Sequence, residues 1–175
     1  MEAKPMRAYV PHELQCNKSS YGLTLTELLI TLAVLSILAT AALPYAEVTV
    51  KRTKEYELRR SLRTVRTAID RFHEDWLNGL ILKSADGVSI NGYPKSLDVM
   101  VAGIATGKPD IPIRKYLRRI PSNPFNSNHN LPSEEWGYRG YQDDYDSSIW
   151  NGEDIYDIYP QTNQEALDGS NYKQW

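Results

Sequence analysis

The sequence is poor in cysteine: Cys16 is the only one among 175 residues, so no internal disulfide forms. No Cys/His spacing of zinc-site type exists either, and a disulfide-stapled fold or a zinc ribbon is excluded. Neither charge sign is in large excess, with 20 basic against 22 acidic side chains and a formal net charge of -2. No global basic field therefore argues for nucleic acid. No low-complexity tract and no internal repeat is present, and a hydrophobic content of 41% is too high for a disordered chain. The length is that of one compact domain.

Charge is also missing locally. Residues Leu28 to Ala46 (LLITLAVLSILATAALPYA) hold no charged side chain. As a helix this run is about 28 Å long, close to the roughly 30 Å hydrocarbon thickness of a bilayer. It is a membrane-span candidate. Beyond it Leu58, Leu62, Val65, Ile69, Phe72 and Trp76 recur at alternating spacings of four and three, the stripe of an amphipathic helix. Neither glycine nor proline falls between Tyr45 and Leu58. The pattern predicts one continuous helix from about Thr24 to about Trp76, kinked at Pro44 and closed by Gly79. The stripe reads as a core face under a small sheet, with a coiled coil as the alternative.

The chain divides into a polar leader (1–22), a hydrophobic helix (23–46), its amphipathic continuation (47–78), a variable linker with one short helix (79–115), and a C-terminal sheet with acidic loops (116–175). The last part contains the strand-like WGYRGYQ and DIYDIYP. From Asn126 onward ten acids face only Arg139 and Lys173. The expected class is α+β, a long N-terminal helix with a small antiparallel sheet packed on its second half.

Lys51, Arg52, Lys54, Arg59, Arg60, Arg63, Arg66 and Arg71 load the helix beyond the span. They suit phospholipid headgroups or acidic surfaces of neighbouring subunits, or a solvated face with i,i+4 pairs such as Glu55 to Arg59. His73 and His129 sit in no recognisable nucleophile arrangement, and no G-x-S-x-G, P-loop, H-E-x-x-H or dinucleotide fingerprint occurs. Asp143 and Asp144, adjacent on a strand, would point to opposite faces. The chain is not expected to be an enzyme.

The informative string is Tyr21-Gly22-Leu23-Thr24-Leu25-Thr26-Glu27-Leu28-Leu29. A short hydrophilic leader ending in glycine, a glutamate five residues on and a long apolar helix together resemble the class III signal of type IV pilins and pseudopilins. The resemblance implies that a prepilin peptidase cuts between Gly22 and Leu23 and methylates the new amine of Leu23. Leu23 stands where the family usually has phenylalanine. Pro44, twenty-two residues past Gly22, falls where the family has its helix-kinking proline. In the family the glutamate matched by Glu27 pairs with the N-terminal ammonium of a neighbouring subunit. A carboxylate inside lipid costs up to about 3 kcal/mol and calls for such a partner. The alternative is a Thr24-x-x-Glu27 capping box, and both can hold. A competing reading has an ordinary signal peptidase cutting at Ala39-Thr40-Ala41. Cys16 reads as a passenger lost with the leader.

Farther on, LRRIPSNP, WGYRGY, GEDIYDIYP and ALDGSNYKQW resemble the major pseudopilin of type II secretion systems. Asn123 stands where that family's turn has aspartate, and the sequence is short after Asp168-Gly169, where many members continue through a glycine-rich acidic loop. The resemblance implies a bound calcium ion, with Asp168 at a ligand position and Asp157 and Asp154 as nearby candidates on charge. Ca²⁺ requires several hard oxygen ligands. An EF-hand is excluded, since Ile149 and Ile155 replace its glycine and glutamate. The impossibility of a stapling disulfide favours a pseudopilin over many type IV pilins.

The implied function is a structural subunit of a periplasmic pseudopilus that exports folded proteins. The chain would be anchored once in the bacterial inner membrane, with its C-terminal domain in the periplasm. Implied partners are copies of itself, minor pseudopilins, the inner-membrane assembly platform and prepilin peptidase, with no nucleic acid. The alternatives are a type IV pilin for adhesion, motility or DNA uptake, and a monomeric membrane-anchored binding domain.

Overall fold

The computed structural model describes residues 22–126 and 131–175, so the leader up to residue 21 with Cys16, and His129, lie outside the described residues. Helix α1 runs from Leu25 to Leu77 with Pro44 inside it, within a residue of the sequence expectation at each end. Thr24 caps it, its hydroxyl accepting the Glu27 amide at 3.2 Å. Hydroxyls inside the apolar run turn back onto helix carbonyls, as Ser36 does to Leu32 at 2.8 Å and Thr40 to Ile37 at 2.7 Å. Polar residues are thereby satisfied without outside partners. At the far end the Gly79 amide donates to the Trp76 carbonyl and the Leu80 amide to that of Asp75, with Gly79 at φ +71°. This is a Schellman closure, and it needs the left-handed backbone that glycine adopts without penalty.

The chain forms two compact units, one up to Leu43 and one from Pro44 to Trp175. In the first, the described residues are the apolar helix. The second carries the core. Leu58, Leu62, Val65, Ile69 and Phe72 are buried, which puts the stripe inward as a core face. The first four meet α2 (Leu97–Ala102) through Leu97 and Met100, and the antiparallel pair β3 (Trp136–Arg139) and β4 (Asp157–Pro160) through Trp136 and Ile158. In register, Gly137 faces Tyr159. A Cβ there would lie 2.2 Å from the tyrosine ring, so the strand needs a glycine at that point.

A second antiparallel pair, β1 (Ile104–Ala105) with β2 (Ile113–Arg114), follows α2. The reading of 79–115 as a linker finds its one short helix in α2, but the stretch is not loose connection. Ile81, Val88, Tyr93, Leu97, Met100 and Ile104 from it are all buried. Ile81, Val88 and Ile104 close over Phe72 as a second cluster. Its Gly, Pro and Ser content marks tight turns between short apolar pieces, and scattered apolar residues give no period to read.

Truncating a buried phenylalanine removes burial and leaves a cavity. Phe72→Ala is expected to destabilise residues 47–175 by about 3–5 kcal/mol in denaturant unfolding, against less than about 0.5 kcal/mol for the exposed Arg63→Ala. Equal midpoints for the two would contradict the packing. A pH effect follows from Tyr138, whose hydroxyl donates to the Ser133 carbonyl. Burial first, then the Asp98 and Glu134 carboxylates, pushes its pKa from the ordinary 10.0 up to about 12. Such a group favours the folded state fully below its unfolded pKa, and that contribution is lost as pH climbs through the folded one. Burial raises Tyr116 and Tyr172 as well, each with a carboxylate bonded to its hydroxyl. Circular dichroism and tyrosinate absorbance are expected to report unfolding between about pH 10 and pH 12, less steeply in Tyr138→Phe. Native dichroism retained above that range would refute the assignment.

Candidate functional site

The N-terminal site is built by the start of α1. Gly22, Leu23 and Thr24 precede the first helical residue and are exposed, and nothing lies within 4 Å of where a Gly22 side chain would project. Among the described residues nothing covers the Gly22–Leu23 bond. Thr24 caps the Glu27 amide, which is half of the capping box. The reciprocal half is not made: among the described residues the Glu27 carboxylate has no hydrogen-bond or ion-pair partner. Capping thus uses the backbone of Glu27 and leaves its charge available. Its place in the first turn suits the positive end of the helix dipole.

Behind Glu27 the helix is apolar and uncovered. Leu25 is 77% exposed and Ile37 70%. A stretch of α1 has a mean hydropathy of 2.1, long and apolar enough to cross a membrane by length and composition. Large apolar side chains exposed on every side of a helix need lipid or other helices around them.

The acidic loops behave differently from their sequence reading. Asp154 is buried and accepts hydrogen bonds from Asn91 Nδ2 at 3.0 Å, Ser89 Oγ at 3.3 Å and the Tyr141 amide at 2.8 Å. Asp157 receives Arg66 Nε at 2.6 Å on one oxygen and Arg66 Nη2 at 3.2 Å on the other, with Arg139 Nη1 at 3.5 Å. Asp168 is exposed, holds the Ser170 hydroxyl at 2.6 Å and amide at 2.9 Å, and lies 3.7 Å from Arg59. The Ser170 bonds, with Arg59 adding, hold its pKa below the usual carboxylate range. The three do not come together: among the described residues no group of three or more His, Cys, Asp or Glu side chains is placed to hold a metal. Asp154, Asp157 and Asp168 are therefore three separately hydrogen-bonded carboxylates and not one cluster. Negative charge alone does not reveal that amides, hydroxyls and arginines occupy these oxygens.

The Glu55 to Arg59 pair is also not formed. Glu55 Oε1 instead accepts the Leu167 amide at 2.7 Å and the Tyr172 hydroxyl at 2.9 Å, while Arg59 lies 4.0 Å over the Trp175 ring. Arg66, one of the helix basic residues, is the anchor that sequence reasoning missed, reaching the main-chain oxygens of Ile158 at 3.1 Å and Trp175 at 2.6 Å. Only its place on the helix flank next to the buried stripe could have signalled this. Asn123 holds a turn, because its Oδ1 accepts the Phe125 amide at 3.0 Å and its backbone amide donates to Glu135 at 2.7 Å. Adding millimolar calcium to residues 47–175 is expected to leave the melting temperature unchanged. A rise abolished by Asp168→Ala would support the calcium reading.

Residues 17–43 match the family model described as the prokaryotic N-terminal methylation motif. No curated protein and no solved structure matches the chain. The matched segment contains Gly22, Leu23, Glu27 and the exposed apolar helix. The match and the geometry together give a pilin-like N-terminal segment, a methylation motif at the head of a helix that is long and apolar enough to cross a membrane.

Proposed function

We propose that this chain is a structural subunit of a filament, the major pseudopilin of a type II secretion system. The observation that carries the reading is the Glu27 carboxylate, unpartnered among the described residues at the head of an uncovered apolar helix, just after the Gly22–Leu23 bond. Cleavage at that bond creates an ammonium at Leu23, four residues from Glu27. In lipid both charges are costly, and pairing across two copies neutralises each. Helix packing would then replace lipid contact along residues 23–46, with Pro44 adjusting the path. The chain supplies position and register and no bond-breaking chemistry. Prepilin peptidase, an inner-membrane assembly platform and minor pseudopilins are the partners this role requires. The C-terminal strings that resemble the major pseudopilin, and the absence of cysteine after residue 22, favour secretion over a pilus.

Peptide mass analysis of the protein from its native membranes is expected to find a chain starting at N-methyl-Leu23. Glu27→Ala is expected to be processed normally and to lose most filament assembly, seen by imaging and crosslinking. A start at Ala42, or Glu27→Ala assembling as well as the wild type, would defeat the proposal. Periplasmic build-up of an exoprotein on deletion supports secretion, and loss of surface pili with intact secretion supports the pilus reading.

A further inference from the structure

The second unit carries a groove rich in arginine and, elsewhere on its surface, an acidic turn. The open groove, of about 1130 Å³, lies between α1 and the segment after β2. Its cations are Arg60, Arg118 and Arg119, and its acids are Glu57 and Asp98, over an apolar floor that includes Val101 and Ile120. All three arginines are exposed, and among the described residues none of their guanidinium groups has a hydrogen-bond or ion-pair partner. The exposed Arg71 and Lys115 line an adjoining cleft and extend the positive surface.

The turn between β3 and β4 forms an acidic knob. Between Arg139 and Lys173 the sequence holds no lysine or arginine. Asp144, Asp146 and Glu153 are exposed there, without side-chain partners among the described residues. Tyr145, 89% exposed, and Ile149, 81% exposed, stand between them. The knob is fixed from below: Arg139 Nε donates to the Ser147 carbonyl at 2.9 Å, Asp143 accepts the Gly140 amide at 2.6 Å, and the Ser147 amide bonds Asp144 O at 3.0 Å. An ordered loop loses little freedom on binding.

The knob is tied to α1 through a residue that lies away from the helix residues of the groove. Around the helix, Glu57 and Thr64 of the groove fall about 100–120° to one side of buried Leu58, and Arg66 about 80° to the other. Arg66 holds Asp157, Asp157 also meets Arg139, and Arg139 holds the knob. A knob and a groove on one chain form a heterologous pair, which repeats head to tail, closing into a ring or running on as a filament according to the rotation between copies.

We propose that the acidic, aromatic knob of residues 143–153 docks into the Arg60–Arg118–Arg119 groove of a second copy of this chain. Aspartates meet the unpaired guanidinium groups and Tyr145 or Ile149 covers the apolar floor. This deepens the filament reading and rests on it. Charge complementarity selects the partner surface and sets the register, while the apolar helix supplies the bulk of the burial.

The test uses the full chain in native membranes with Cys16→Ser, so that Arg119→Cys and Asp144→Cys placed in the same chain are its only thiols. Mild oxidation is expected to give a ladder of disulfide-linked multimers. Monomers only, or dimers that do not extend, would overturn the docking. Separately, Arg118→Glu with Arg119→Glu is expected to reduce chemically crosslinked multimers at least about tenfold, and adding Asp144→Lys with Asp146→Lys to restore them. Unchanged assembly of the arginine variant, or no restoration, would also overturn it. The state of Leu23 separates the two levels. Methylated Leu23 with monomers only removes the docking alone, and an unprocessed chain removes the filament reading with it.

Discussion

A two-stranded ribbon is marginal in water because it has too little buried face, and the described residues form two of them. Everything beyond α1 therefore depends on the apolar stripe from Leu58 to Phe72. Burial of a valine, leucine, isoleucine or phenylalanine side chain contributes roughly 1.5–3 kcal/mol, and five such positions share one helix face. Trp136 from β3, Ile158 from β4, Met100 from α2 and Tyr172 from the last turn all converge on that face. Without it the strands would have nothing to lie on.

Polar contacts then fix how the strands sit on that face. Arg66 is planar and forked, and it serves Asp157 with two nitrogens while also reaching two main-chain oxygens. Arg139 adds a second guanidinium to Asp157 and carries the loop and the last turn on its remaining donors. Glu55 does the same for residues 167 and 172. The helix thus uses charged residues beside its stripe to hold chain more than ninety residues away, and the acids that look like free ligands are in large part its counterions.

The first unit has the opposite character. Its helix buries nothing that is described, and its one charged side chain before Glu47, Glu27, lacks a partner among the described residues. Apolar side chains exposed along the helix call for lipid or other helices around them. The protein joins a self-sufficient domain to a segment whose stability comes from its surroundings.

Where the physics is local, the residues were legible directly. The charge-free run, the four-and-three stripe, the glycine stop at Gly79, the two strands WGYR and DIYP, and the glycine–leucine–glutamate signal are each decided by neighbours within a few positions. The roles of Asp154, Asp157, Asp168, Glu55 and Arg66, and the burial of residues 79–115, were not legible. A carboxylate is equally acidic on the page whether it meets an amide, an arginine or water, and only the folded chain brings Arg66 to Asp157 or Asn91 to Asp154. The sequence determined the helix, its buried face and the processing signal, because propensity and periodicity act along the chain. Tertiary structure alone decided which charges are spent inside the fold and which remain exposed, because pairing depends on distances that folding creates.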